Sequence, residues 1–155
     1  MMQILIFSDS HGDRRGLREA LLRHPDAGTV CHLGDGARDM AQVAQEFPDR
    51  TVFGVCGNCD MCADLPLTRL ELFGGKKVLL THGHAFAVKS GLVTYQLAAK
   101  ERGAAVALFG HTHRPTEEYA GGVWLFNPGS LRDGNYGILE VSDAGIYLKH
   151  LQLLG

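Results

Sequence analysis

The sequence lacks an apolar run long enough to cross a membrane, and it lacks an excess of basic residues. Its first apolar run, "ILIF", is soon followed by Asp9 and His11, which is too early for a signal peptide. The formal net charge is −2 over 155 residues, so no basic field covers the surface to attract nucleic acid or an anionic membrane. We therefore expect a cytoplasmic protein whose partner is neither a membrane nor a nucleic-acid polymer.

Repeats, low-complexity segments and linkers are absent as well, and cysteine is scarce. A chain of 155 residues with 45% hydrophobic and 21% charged residues has the size and composition of an ordinary globular domain. Four cysteines in a chain without an export signal indicate reduced thiols rather than disulfides. We expect residues 1–155 to form a single domain.

Short apolar runs alternate with segments of helical periodicity through most of the chain. The runs that predict strands there are "ILIF", "TVCHL", "TVFGVC", "KVLLT" and "AVALF". Three helices are predicted, at "RRGLREALLRH", at "ARDMAQVAQEF" and at "GLVTYQLAAKER", the last capped by Ser90 and ended by Gly103.

The pattern changes near the C-terminal end. "VWLF", "YGILEV" and "IYLKHLQL" predict consecutive strands with turns at Gly121-Gly122, Asp133-Gly134 and Asp143-Ala144-Gly145. The fold class expected is α/β, in which a partly parallel sheet packs on a second sheet with helices outside.

Polar side chains follow six of the predicted strands at their carboxyl ends. The tails read "SDSHG", "GD", "GNCD", "HGH", "GHTH" and "NPGS", and five of the eight histidines lie in them. Ligand sites in open α/β sheets form at this end of the strands. A glycine adjoins a candidate ligand in each of the first five tails, where it lets the backbone turn sharply and approach a bound ion closely: Gly12, Gly34, Gly57, Gly83 and Gly110.

Seven side chains of these tails are candidate metal ligands: Asp9, His11, Asp35, Asn58, His82, His111 and His113. The mixture of oxygen and imidazole nitrogen suits Mn²⁺, Fe or Zn²⁺ better than Ca²⁺ or Mg²⁺. Seven ligands are too many for one ion, but two adjacent ions that share a carboxylate would use them all. In "DSH" and "HTH" the ligands stand two residues apart, so that both face the same side of an extended segment.

The ordered motifs D-x-H, G-D, G-N-x-D, H-G-H and G-H-T-H resemble those of the calcineurin-like metallophosphoesterase superfamily. The wording "SDSHG", "GNCD", "THGH", "GHTHRP" and "NPGS" is most similar to its small prokaryotic YfcE-type phosphodiesterase branch, and it runs from Asp9 to Ser130. The resemblance implies a four-layered αββα sandwich. It implies one metal on Asp9, His11, Asp35 and His113, and another on Asp35, Asn58, His82 and His111, with Asp35 as the bridge.

The activity implied is hydrolysis of small phosphodiesters by a metal-dependent enzyme, through attack of a hydroxide that bridges the two ions. Asp35 and Asn58 would act at the reacting centre, and Asp60 would hold a ligand histidine in its metal-binding tautomer. The "NPGS" turn would shape the rim, and Arg132 beyond it could contact the phosphate, with an ordinary surface position as the alternative. Mn²⁺ is the metal we expect, with Fe, Zn²⁺ and Ni²⁺ as alternatives.

Three closely spaced cysteines, Cys56, Cys59 and Cys62, raise the alternative of a thiolate metal cluster. A ferredoxin-type run would place a fourth cysteine at position 66, which is Pro66. Many relatives in the resembled family have histidine at position 59, where it is thought to protonate the leaving group or contact the phosphate. Because a thiol is a poor general acid at neutral pH, His84 is a candidate substitute donor.

Other polar residues have simpler interpretations. We expect His24, His32 and His150 to be satisfied surface or core groups and Asp39 to lie on a solvated helix face. His84 could support a metal ligand from behind or be a simple rim residue.

Two other functions stay open at the level of sequence. One is a protein-interaction scaffold on the same fold, as in the retromer subunit, and the other is a nuclease of the double-strand-break repair type. The physiological substrate, the metals, the leaving-group acid and the oligomeric state are not determined by the sequence; relatives form dimers and tetramers.

Overall fold

The structure is a computed structural model that describes residues 1–61 and 64–153. Within these residues, ten strands form two five-stranded sheets, and three α-helices flank them. The strands are β1 (Met2–Phe7), β2 (Thr29–His32), β3 (Thr51–Gly54), β4 (Thr68–Phe73), β5 (Lys76–Thr81), β6 (Val106–Leu108), β7 (Thr116–Ala120), β8 (Val123–Asn127), β9 (Asn135–Ser142) and β10 (Gly145–Gln152). The helices are α1 (Arg14–Arg23), α2 (Ala37–Ala44) and α3 (Val93–Glu101).

Each sheet contains three neighbouring parallel strands. The first sheet has the order β10-β9-β1-β2-β3, in which β1, β2 and β3 run parallel. The second has the order β4-β5-β6-β8-β7, in which β5, β6 and β8 run parallel. The carboxyl ends of these parallel strands carry the polar tails identified in the sequence.

Alternating side chains of the central strands bury both faces of each sheet. In β1, Ile4 and Ile6 pack between the two sheets, whereas Leu5 and Phe7 pack against α1 and α2. In the second sheet, Leu79 and Ala107 pack against Tyr95 and Ala99 of α3. The layers are therefore helix, sheet, sheet and helix, which confirms the predicted αββα sandwich.

The structure differs from the sequence prediction at two edge strands. Neither β4 nor β7 is an apolar run: their sequences are "TRLELF" and "TEEYA". Each lies at an edge of the second sheet and pairs antiparallel with one neighbour. Its polar side chains can therefore remain in contact with water.

One local prediction, the cap of α3, is also wrong. Ser90 does not cap α3: Leu92 precedes the helix without a side-chain cap, and the positive φ of 146° at Gly91 separates Ser90 from it. Strands β8 and β9 follow each other in the chain, as predicted, but they lie in different sheets, because the "NPGS" segment carries the chain from one sheet to the other. The turns before β8 and before β10, and the end of α3 at Gly103, agree with the prediction.

Among the described residues, no helix is long and apolar enough to cross a membrane.

Candidate metal centre

The candidate ligands lie at the carboxyl ends of strands from both sheets. Five of them have left-handed backbone conformations, with φ of 55° at Asp9, 42° at His11, 57° at Asp35, 70° at His111 and 63° at His113. Such values are uncommon outside glycine, although aspartate and histidine tolerate them better than most residues. Sharp turns directly after the strands thus aim these side chains at one another.

Six of the seven candidate ligands form two groups that could each hold a metal ion. One group contains Asp9, His11 and His113, and the other contains Asp35, His82 and His111. Within each group the ligand atoms lie within 4.8 Å of one another. The composition of both groups agrees with the division that the family resemblance implies.

The carboxylate of Asp9 is held by one oxygen and leaves the other without a hydrogen-bond partner. Its Oδ2 accepts hydrogen bonds from the Ser8 hydroxyl at 2.6 Å and from the His111 N–H at 3.1 Å. Its Oδ1 is buried and lies 3.1 Å from His113 Nε2 and 3.5 Å from His11 Nε2. The side chain is therefore fixed with one oxygen available to a ligand.

Asp35 lies between the two groups. Its Oδ1 accepts a hydrogen bond from the Cys59 N–H at 2.8 Å, while its Oδ2 lies 3.3 Å from His82 Nε2 and 3.9 Å from His11 Nε2. Burial alone would raise the pKa of Asp35, but the neighbouring His82 ring and the hydrogen bond from the Cys59 N–H outweigh burial and hold the pKa well below its usual value. This carboxylate is ionised and faces histidines of both groups.

Buried polar atoms without partners test whether a metal would fit. Among the described residues, the buried side-chain nitrogen and oxygen atoms that lack a hydrogen bond are Asp9 Oδ1, His11 Nε2, His82 Nε2 and His84 Nδ1. An unsatisfied buried polar atom costs about 1–3 kcal/mol, so four in one place call for a ligand. Carboxylate oxygen and imidazole nitrogen suit divalent transition metals, so each of the two groups could hold such an ion.

The orientation of His82 is set by a backbone carbonyl and not by Asp60. His82 Nδ1 donates to the Leu33 carbonyl at 2.8 Å, which leaves Nε2 as the unprotonated atom that faces Asp35. Asp60 instead accepts hydrogen bonds from four backbone N–H groups, those of Asp35, Gly36, Ala37 and Gly57, at 2.8–3.1 Å. The prediction that Asp60 holds a ligand histidine is therefore wrong; its carboxylate joins the loops after β2 and β3.

Glycine is required where these loops touch. A Cβ atom on Gly57 would overlap the Oδ1 and backbone N of Asp35, and one on Gly110 would overlap the Ser8 hydroxyl. Both positions follow strands that lead into candidate ligands. The glycines of the motifs thus allow the ligand loops to approach more closely than any side chain permits.

The other predicted site residues lie near the centre but less deeply. Asn58 and Cys59 are exposed, and the Asn58 amide donates to Cys59 Sγ at 3.7 Å. The negative charge of Asp35 raises the pKa of the Cys59 thiol. His84 is half-buried, with its ring centre 5.6 Å from that of His82 and 6.2 Å from that of His111.

Arg132 is exposed, in a short 3₁₀ helix at Leu131–Asp133. Its backbone N–H lies 3.4 Å from the Asp9 carbonyl. This exposed position agrees with the interpretation of Arg132 as an ordinary surface arginine. It is also compatible with a contact between the side chain and a substrate at the rim.

Asp39 is a correction to the sequence analysis. It is 5% exposed, and its Oδ2 accepts hydrogen bonds from the Ser10 hydroxyl and the Gly12 N–H, both at 2.8 Å. Ser10 Oγ also lies 3.1 Å from Nε2 of the buried His32, whose Nδ1 accepts from the Gly34 N–H. This chain of polar groups supports the loop between Asp9 and His11 from behind, which a solvated aspartate could not do.

His24, His32 and His150 are satisfied groups, as expected. His24 is hydrogen-bonded to the Tyr136 hydroxyl, and His150 to the Asn127 carbonyl, each at 2.8 Å.

Several supporting residues were missed or only generally placed by the sequence analysis. Asn127 donates to the Gly110 carbonyl and to Thr112 Oγ1, both at 3.0 Å, and Ser130 donates to the Asp9 carbonyl at 2.9 Å. Ser8 anchors Asp9 as described above. Asn127 and Ser130 belong to the "NPGS" segment. The sequence pointed to them only through the role predicted for this segment in shaping the rim.

The cysteines divide into two kinds. Cys31 is buried and free, Cys59 is exposed and free, and Cys56 is disulfide-bonded, so the expectation of reduced thiols is wrong for Cys56. Cys62 lies outside the described residues. Among the described residues, neither metal-ligand group contains a cysteine.

Comparison with known proteins finds similarity to phosphoesterases. Residues 2–144 match the sequence profile of the calcineurin-like phosphoesterase superfamily domain. The chain is 36% identical over 132 residues to "Probable metallophosphoesterase YsnB" of Bacillus subtilis, covering 84% of this chain and 76% of that protein. It is 31% identical over 169 residues to phosphodiesterase YfcE of Escherichia coli, covering 90% and 88% respectively.

A solved structure agrees with these relatives. The crystal structure of a conserved Streptococcus pneumoniae protein, described as a predicted phosphoesterase, superposes with a TM-score of 0.83 at 29% identity. The match covers 97% of this chain and 89% of that one.

Proposed function

The chain belongs to the calcineurin-like phosphoesterase superfamily, in its small YfcE-type branch, and from this premise we propose that it is a dinuclear metal-dependent phosphodiesterase that hydrolyses small phosphodiesters. The observation that carries the proposal is the position of Asp35, whose Oδ2 faces His82 and His11 from two adjacent ligand groups. Two groups joined by one carboxylate are the arrangement that a pair of cooperating ions needs.

In this proposal Asp9, His11, Asp35 and His113 hold one ion, and Asp35, Asn58, His82 and His111 hold the other. When bound, two such ions lower the pKa of a water molecule and neutralise charge on the phosphoryl oxygens.

The protein's own contribution is a rigid set of donors and acceptors. Ser8 fixes Asp9, the Cys59 N–H fixes Asp35, and the Leu33 carbonyl fixes His82. Groups that are already oriented in the free protein need not be reorganised during the reaction, which is a main source of electrostatic catalysis.

Asn58, His84 and Cys59 would act on the substrate at the mouth of the centre. The Asn58 amide can donate to a phosphoryl oxygen, and His84 carries a buried Nδ1 without a partner. Cys59 is held 2.8 Å from Asp35 through its backbone, so its thiol lies at the edge of the centre. We assign these three residues, with Arg132 at the rim, to substrate binding and leaving-group departure.

Mn²⁺ is the ion that we propose for both positions. Fe, Zn²⁺ and Ni²⁺ use the same oxygen and nitrogen ligands and are the alternatives to be compared.

A scaffold without catalysis is the competing function. A scaffold would need only the fold and no metal ligands. All seven candidate positions of this chain carry side chains that can bind metal, which favours catalysis. Activity on diesters separates the two.

The test is hydrolysis of bis-p-nitrophenyl phosphate by chelator-treated protein to which each metal is returned. We expect Mn²⁺ to restore activity, and Asp35→Asn to lower kcat/KM by more than about 100-fold, since even residues that only orient ligands typically cost 10–100-fold. Asp49→Asn, at an exposed aspartate, is the matched control. Inactivity on every diester, with metals bound, would favour the scaffold.

A further inference from the structure

A cleft of about 560 Å³ opens beside the candidate metal centre. One wall is the segment Val88–Leu92 before α3, and the other is formed by Phe109, Thr112, Arg114, Thr116 and Glu118. We call it the Lys89 cleft. Its volume lies within the range of small-molecule sites.

The Lys89 cleft is joined to the metal centre through Thr112. This residue lies between the candidate ligands His111 and His113 and lines the cleft. Its hydroxyl accepts from Asn127 Nδ2 at 3.0 Å and from the Arg114 N–H at 3.2 Å. A molecule bound at the ligands therefore has the cleft directly beside it.

Two cations of the cleft lack a counterion. Lys89 and Arg114 are exposed, and neither forms an ion pair with any of the described residues. Glu118 is the one acidic residue in the lining, so the cleft has a net positive charge. The backbone of Arg114 is fixed by Thr112 and by Thr116, whose hydroxyl donates to the Arg114 carbonyl at 3.0 Å.

The charge of a second cleft has the opposite sign. This cleft, of about 570 Å³, is lined by Cys59 next to the candidate ligand Asn58, and it contains Arg38 with Asp60 and Asp64. Its charged side chains therefore sum to one negative charge. Two clefts of opposite sign that both adjoin the ligands would distinguish the two arms of a diester.

Building on the phosphodiesterase function proposed above, we propose that the Lys89 cleft binds a phosphate-like dianion carried on one arm of the substrate. The substrate class is then a phosphodiester with one anionic arm and one uncharged arm. Lys89 and Arg114 bind the anion, with Arg114 able to do so through two N–H groups. The apolar side chains of Val88, Leu92 and Phe109 contact the carbon skeleton that connects the anion to the reacting phosphorus.

The first experiment compares two p-nitrophenyl diesters that differ in one arm, n-butyl or 3-phosphonopropyl. The phosphonate resembles a phosphate monoester but cannot be hydrolysed, so nitrophenolate release reports only the diester. For the Mn²⁺-loaded enzyme we expect kcat/KM to be about tenfold or more higher with the phosphonopropyl arm. Lys89→Gln and Arg114→Gln should each reduce this ratio about three- to tenfold, because both cations are partly screened by solvent.

Lys100→Gln is the matched control, since Lys100 is exposed on α3 outside the cleft and its loss should leave the ratio unchanged. If the wild-type enzyme had equal kcat/KM values for the two diesters, the proposal would be overturned. So would a preference that survives both substitutions or that falls equally in Lys100→Gln.

A second experiment does not depend on catalysis. Propylphosphonate is titrated into the chelator-treated protein of residues 1–155, so that no metal supplies affinity, and backbone amide shifts are followed by NMR. We expect saturable shifts at residues 88–92 and 112–118 that Arg114→Gln weakens at least about threefold. Absence of saturable binding, or shifts confined to the second cleft around Arg38, would reject the anion site.

The two experiments separate the two proposals. If neither diester is hydrolysed but propylphosphonate binds, the phosphodiesterase function fails and the anion site stands. If both diesters are hydrolysed at equal rates and propylphosphonate does not bind, the anion site fails and the phosphodiesterase function stands.

Discussion

Single residues with left-handed backbones are concentrated at the candidate centre. Six described residues other than glycine have a positive φ, and five of them are the candidate ligands Asp9, His11, Asp35, His111 and His113. Strained conformations cost about 1–3 kcal/mol each and persist where the surrounding structure enforces them. Here the enforcing contacts come from Ser8, Asp39 and Asp60, which bind backbone and side chains of the same loops.

The sequence identified ligands more readily than the residues that support them. Asp9 and Asp35 directly follow apolar strands and stand next to glycine or histidine, which is a local signal. Apart from the contact of Asp60 with Gly57, Asp39 and Asp60 make these hydrogen bonds 23–29 residues away, to backbone groups and to Ser10. No local pattern reports such a contact, so Asp39 was placed on a solvated face and Asp60 beside a histidine.

Gly57→Ala tests whether close approach of two loops builds the centre. The new Cβ would overlap Asp35 and displace its carboxylate, which lies between the two ligand groups. We expect metal affinity, measured by titration of chelator-treated protein, to fall about tenfold or more. Gly28→Ala is the control because a Cβ there meets nothing within 4 Å, and equal affinities in the two variants would contradict the explanation.

Cys59→His tests how the leaving group departs. The Asp35 charge raises the pKa of the thiol, so Cys59 is a weak acid at neutral pH. We expect histidine to raise kcat for alkyl diesters more than for p-nitrophenyl diesters, since nitrophenolate leaves without a proton. Steady-state kinetics with Cys59→Ser as the control checks this, and equal changes on both substrate types would count against it.

At the scale of elements, the central strands were predictable and the edge strands were not. The strand β1 is apolar on both faces because layers pack on each side of it, and this gives a continuous apolar run. The edge strand β7 has residues 117–119 exposed, so its sequence carries no such run. Strand β7 forms because it pairs with β8, and the sequence of β7 alone does not indicate this partner.

The "NPGS" segment links β8 to the metal centre, and Asn127→Ala tests this link. The buried amide of Asn127 holds the loop of His111 and His113 through Gly110 and Thr112. Its loss should lower the free energy of unfolding by about 2 kcal/mol and weaken metal binding about tenfold. Urea unfolding and metal titration measure the two effects.

Asn135→Ala provides the comparison, because the Asn135 side chain makes an exposed hydrogen bond with Gln152 and not with a ligand loop. If both variants keep the metal affinity of the wild type, the segment does not support the centre.

At the scale of the whole molecule, two sheets with parallel strands bring distant segments together. The candidate ligands span residues 9 to 113 and come from both sheets, so the centre exists only when the sandwich is assembled. The order of motifs made this assembly predictable through the family resemblance. A single domain over residues 1–155, a cytoplasmic location and the oligomeric state stay predictions.

The buried His32 should make global stability depend on pH. Burial lowers the pKa of His32 to about 4, whereas the unfolded chain has the usual value near 6.5. Between these values the unfolded state binds the extra proton, so the free energy of unfolding falls as the pH is lowered through this window, by up to about 3 kcal/mol. Urea unfolding of chelator-treated wild type and His32→Gln from pH 7 to pH 4 should show a smaller fall in the variant; identical slopes would contradict this assignment.

The central claim is that two adjacent ions share Asp35, and anomalous diffraction from crystals soaked in Mn²⁺ tests it most directly. We expect two anomalous peaks per chain about 3.5–4 Å apart, one against Asp9, His11 and His113 and one against His82 and His111, with Asp35 touching both. If a protein that hydrolyses diesters showed a single peak, or peaks away from these ligands, the account would be contradicted.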